Sequence, residues 1–293
     1  MLDAIKYSSL ELRKHEGQCV PRGPSIERAK IERVHLPLCT LEFRAPRHAP
    51  SRRFPAEEYK LRTYYSLDHL TSIGGSLVPS DSWRKVSICW RRWAFYGPWF
   101  TGYMGDVGFS VKIIGTRERS TKFNLLFPSA LEVAIQGYLT SRYGHKVYDR
   151  RERSLYYLAP VDWLPINTMP VPAVQLDVIE NLTRVIHCRK LFFPVSKDRL
   201  AVVTFDYSQS CAGKRETVDA KISPQPMLSL IESIVSSLRM MPKPEFQAEI
   251  DEARAACTGI YSVSPECKPF KWPADVDRDG LSILEYREGR YQD

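Results

Sequence analysis

The sequence predicts an α+β fold, mainly antiparallel sheet with two or three packed amphipathic helices. Two observations carry this. Several segments alternate apolar and polar residues with period two, the mark of strands. Others begin at a proline and repeat apolar residues every three or four positions, the mark of helices with one buried stripe. A composition of 43% hydrophobic and 26% charged residues over 293 positions excludes a disordered chain, collagen or a coiled coil as the whole answer.

Along the chain, residues 1–33 are polar, broken by Gly17, Pro21, Gly23 and Pro24, and read as an N-terminal arm. A first β-rich unit is expected over 34–159. In it Cys39, Leu41 and Phe43 alternate with Thr40, Glu42 and Arg44, and Val86, Ile88 and Trp90 with Ser87, Cys89 and Arg91. Val107, Phe109, Val111 and Ile113 alternate with Gly108, Ser110 and Lys112, the cleanest such run, which predicts a sheet with one face buried. Pro128 then opens a helix with Leu131, Ala134, Ile135, Tyr138 and Leu139 on one face and Gly144 to end it.

A second unit is expected over 160–244, after a Pro-rich junction at 160–172. Strand-like runs cover 154–158, 173–179, 184–193 and 200–207. Pro226 begins a helix lined by Leu228, Ile231, Ile234, Val235 and Leu238. The repeated order suggests two similar strand-strand-strand-helix units, either fused as one continuous sheet in one compact domain or kept as two lobes. Residues 245–293 read as an acidic C-terminal helix and tail, the helix starting near Pro244 with Phe246, Ile250, Ala253 and Cys257 as its stripe.

Charge is unevenly spread. The chain has 42 basic and 34 acidic residues, net +8, but residues 1–150 carry 24 and 14 of these, whereas 245–293 carries 6 basic and 11 acidic residues. A negative segment thus follows a positive body. The seven cysteines are odd in number, widely spaced and without a CxxC pair, which fits a reducing compartment. Residues 1–18 lack the apolar stretch of a signal peptide, and no apolar run is long enough to cross a bilayer, so a cytoplasmic location is expected.

Chemical motifs fail on inspection. Asp275, Asp277, Asp279 and Gly280 imitate a calcium loop, but Glu285 falls at position eleven and Tyr286 at twelve, where the bidentate carboxylate belongs. The segment from His15 to Cys19 lacks the second ligand of a zinc helix. Ser208 to Lys214 ends like a phosphate loop without its first glycine, and Arg215 replaces the hydroxyl residue. There is no Gly-x-Ser-x-Gly elbow. No catalytic residue, metal ligand or cofactor is therefore expected. The candidate functional residues are partner contacts: the aromatic and arginine segment with Trp90, Arg91, Arg92, Trp93, Tyr96 and Trp99, and the acidic Asp275, Asp277, Asp279 and Glu285. Large rings with arginine make interface anchors, although they also fill cores.

At this aromatic segment, at 123–132 (FNLLFPSALE), at 160–165 (PVDWLP) and at 170–174 (PVPAV), the chain resembles bacterial proteins found beside toxin genes. More narrowly, it resembles cytoplasmic immunity proteins that neutralise type VI secretion effectors in bacterial competition. The likeness spans roughly residues 36–207. It implies an inhibitor that acts by occlusion, a cognate effector protein as partner, no membrane and no direct nucleic-acid contact. A toxin met in the cytoplasm would be a nuclease or a nucleotide-consuming enzyme rather than a cell-wall or periplasmic lipid hydrolase; the specific expectation is a DNase, whose basic groove would attract the acidic segment after Glu245. An enzyme with an unfamiliar site, and a nucleic-acid-binding module using the basic N-terminal half, remain open alternatives on sequence alone.

Overall fold

The alternating run around Phe109 becomes the centre of a long antiparallel sheet. A computed structural model describes residues 17–52, 54–68, 71–72, 83–98, 102–116, 124–144, 146 and 155–272. The first elements are β1 (Ile31–His35), β2 (Cys39–Arg44), β3 (Thr71–Ser72), β4 (Trp83–Tyr96), β5 (Tyr103–Thr116) and α1 (Pro128–Tyr143). There follow β6 (Tyr157–Pro165), β7 (Val174–Glu180), β8 (Ile186–Ser196) and β9 (Arg199–Gln209). The remainder is α2 (Arg215–Lys221), α3 (Gln225–Ser237), β10 (Arg239–Pro242) and α4 (Pro244–Ala256).

Seven strands form one sheet in the order β3-β4-β5-β9-β8-β7-β6, and every pairing is antiparallel. Strands from before and after residue 160 therefore share it, joined where β5 runs against β9 from Gly105–Gln209 to Ile114–Leu200. A small second sheet, β1-β2-β10, lies apart. The α+β architecture with antiparallel sheet is as the sequence predicts.

The strand alternation expected one buried face, but β5 is buried on both. On the first face Val107, Phe109, Val111 and Ile113 pack with Phe205, Phe193, the small sheet and helices α3 and α4. Phe43 of β2 meets Phe109 edge-on at 5.6 Å, and Trp93 stacks on it at 5.8 Å. On the second face Ile114, Leu176, Phe192, Leu200 and Val202 are covered by Leu131, Ile135, Tyr138 and Leu139 of α1 and by Val263 and Trp272. The extra cover comes from α1 and the segment behind α4, which fold over the face that alternation alone assigns to water.

Helix α1 is where the sequence places it, with Pro128 in its first turn and Gly144 as its C-cap. The glycine is needed because a side chain there would meet the Thr140 carbonyl at 2.8 Å and the Trp272 ring at 3.2 Å. Trp272 donates its indole N–H to Thr140 Oγ1 at 2.9 Å, fastening the segment after α4 to the end of α1. Helix α3 buries Met227, Leu230, Ile231 and Ile234. Its neighbour α4 buries Phe246, Ile250 and Ala253. All seven cysteines are free, with Cys19, Cys39, Cys89 and Cys188 buried as small apolar groups. Among the described residues no helix is long and apolar enough to cross a membrane.

Candidate functional site

The aromatic and arginine segment lies in the second half of β4, and a β-bulge decides which way each residue points. Before it, Val86 pairs with Ile113 and Ser87 with Lys112; after it, Cys89 pairs with Val111 and Trp90 with Ser110. Ile88 is the extra residue, and inserting one residue reverses the parity of everything that follows. Cys89, Arg91 and Trp93 consequently face the first-face core, and Trp90 and Arg92 stand on the second face.

This removes Arg91 and Trp93 from the expected partner surface. Trp93 is fully buried, and its indole N–H donates to the Pro46 and Arg47 carbonyls. Arg91 is 7% exposed and tied to Glu32 at 2.8 Å, Glu58 at 3.0 Å and the carbonyls of Ala45 and Pro46. A buried arginine satisfied by two carboxylates and two carbonyls is a clamp that fixes residues 32–58 against β4. Both residues serve packing because the bulge turns them inward.

Trp90, Arg92 and Tyr96 remain half-buried. Arg92 lies across β5 because the residue beneath it, paired with it in register, is Gly108. Its Nη2 reaches Asp206 of β9 at 3.0 Å, and its Nε lies 3.7 Å from Asp106. A Cβ on Gly108 would sit 2.5 Å from the Asp206 carboxylate, so glycine is what opens this route. Asp106, 4% exposed, also accepts from Tyr103 Oη at 2.6 Å and Ser208 Oγ at 3.2 Å. Burial and the Asp106 carboxylate hold the Tyr103 phenol well above its usual range, so it stays a proton donor. The Arg92 backbone N–H donates to His48 Nδ1 at 3.0 Å while His48 Nε2 donates to the Ala56 carbonyl at 2.8 Å, which sets the tautomer. The guanidinium of Arg92 lies 5.9 Å from the Trp90 ring centroid. Tyr96 packs edge-on to Tyr103 at 6.3 Å.

Sequence reasoning missed Asp106, Asp206, Tyr103 and Ser208. The available signal was a carboxylate, Asp106, inside the mostly apolar run of β5. Of the other expected contacts, Trp99, Asp275, Asp277, Asp279 and Glu285 lie outside the described residues. The described part of the acidic segment is α4 and the stretch after it as far as Trp272, which expose Glu245, Asp251, Glu252 and Glu266. Its Glu249 pairs with Lys197 at 3.3 Å. The buried stripe of α4 belongs to the first-face core, whereas Trp90 and Arg92 occupy the second face, so these two sets of residues do not form one patch.

A groove of about 630 Å³ opens between the start of α1 and the segment after α4, lined in part by Phe127, Glu132, Asn167, Cys257 and Ser264. Glu132 is already engaged there, accepting from the Ser264 backbone N–H at 2.6 Å and hydroxyl at 3.2 Å. Comparison with known proteins finds no matching family, no matching curated protein and no matching solved structure.

Proposed function

We propose that the chain is an immunity protein that binds and neutralises a cognate type VI secretion toxin acting in the cytoplasm, a DNase, by covering it. The observation that supports this reading most is the outer face of α4. Glu245 and Glu252 lie seven residues apart, two helical turns, on one side, and both are exposed; Asp251, about 100° further round the helix, is exposed as well and is met by Gln247 and Arg254. A row of carboxylates on a helix anchored by Phe246 and Ile250 is a rigid counterpart for a groove that binds phosphates. Occlusion needs such a complementary face and asks no chemistry of the chain.

Co-expression with the product of the adjacent toxin gene tests the proposal. The expected result is a complex that co-purifies and cells that grow; absence of both discards the function. Within a complex, the triple change Glu245→Lys, Asp251→Lys and Glu252→Lys should slow association about tenfold or more at low salt. An unchanged rate would remove α4 from the interface while leaving occlusion by another face standing.

A further inference from the structure

Beside the Arg92 network, the second face of the sheet gathers Lys85, Lys112 and Lys190, while its carboxylates Asp106 and Asp206 are already engaged by Arg92, Tyr103 and Ser208. In the register, Lys112 of β5 lies next to Ser87 and Val202, and Ser110 next to Thr204, which is itself opposite Lys190 of β8. Lys190 is 5% exposed; its ammonium donates to Thr204 Oγ1 at 3.2 Å and rests 5.8 Å from the Tyr143 ring centroid. Tyr143 ends α1, and its neighbour Arg142 has a buried Nη1 with no hydrogen-bond partner among the described residues. Lys112 has no hydrogen-bond or ion-pair partner among the described residues.

The charges felt at Lys112 are those of Lys190, Lys85 and Arg142, and one carboxylate, Asp206, which Arg92 already holds. Desolvation first, and then the three cations, lower the lysine to about 8 against the opposing pull of Asp206. Like charges crowded on a half-covered face, with an orphaned guanidinium N–H among them, are satisfied when an anion joins them.

We propose that this part of the second face is a binding site for a small phosphorylated ligand, held by Lys112, Lys190 and Arg142 with the Ser110 and Thr204 hydroxyls alongside. A multiply charged phosphoryl group matches several cations, whereas a carboxylate would match one. The ligand is small because the site is recessed. Lys190, Ser110 and Tyr143 are each less than 9% exposed, and a nucleic-acid backbone needs an open stripe. The site is independent of occlusion by α4.

Titration calorimetry of the full chain with inorganic phosphate and with pyrophosphate at neutral pH and low salt tests it. One site is expected, tighter for pyrophosphate. Lys112→Met and Arg142→Gln should each weaken binding tenfold or more, and pyrophosphate should raise the thermal midpoint of the wild type but not of Lys112→Met. Circular dichroism of the free variants confirms that they are folded. No binding of either anion at millimolar concentration overturns the proposal, as does wild-type affinity in both variants. Citrate bound as tightly as pyrophosphate refutes the phosphoryl class. An oligonucleotide bound where pyrophosphate is not would replace the site with a backbone contact.

Discussion

Lys112 ties the electrostatics of one residue to the stability of the whole chain. Burial and neighbouring cations lower it to about 8, so the folded state prefers it neutral. Below that pH the lysine is charged in both states, and the fold carries a penalty of roughly 3 kcal/mol at most. Between about pH 8 and 10.4 the unfolded chain holds the extra proton, so stability should rise with pH there, and above that range the penalty is gone. Lys112→Met should therefore raise stability at pH 7 by about 1–3 kcal/mol and flatten the rise above pH 8, read from denaturant midpoints across the range. Curves that stay parallel would show that the charge is not penalised. Gly105 makes the opposite case. It has φ +149°, and a Cβ would lie 2.0 Å from the backbone oxygen of Ser208. Gly105→Ala should cost more than about 3 kcal/mol, since the obstructing atom is main chain and cannot rotate away.

Elements were legible where their signal was long and failed where it was short or depended on a single insertion. Helices α1, α3 and α4 each carry a proline in the first turn and a buried stripe, so pattern reading locates them. Strand β1 buries only Val34, β10 has four residues, and α2 buries only Val218; each is held by what it packs on. Among the site residues, Trp90 and Arg92 were legible as side chains for a surface, but the sidedness of Arg91 and Trp93 was not. Strict alternation grouped Val86, Ile88 and Trp90, and the bulge at Ile88 breaks that group without leaving a mark in composition. The cover over the second face is also invisible to periodicity, because Trp272 reaches α1 from far along the chain. Trp272→Ala should cost about 3–5 kcal/mol and speed hydrogen exchange in the last turn of α1. Protection unchanged there would mean that the helix end is held by something else.

For the molecule as a whole, the charge pattern has two poles, with carboxylates along α4 and cations on the second sheet face. A net charge of +8 hides this division. If α4 meets a basic toxin, the association rate should fall as salt rises, with dissociation little affected, in stopped-flow measurements. A rate insensitive to salt would rule out steering by that helix.

The pairing of β5 with β9 also has a consequence for synthesis. A nascent chain that has emerged only as far as α1 holds both apolar sides of the β4–β5 hairpin with no strand at its β5 edge and α3 and α4 not yet made. The ribosome must deliver residues past Gln209 before that edge is closed. Ribosome-bound fragments stopped before Arg199 should therefore be captured by chaperones, and fragments extending past α4 should escape them.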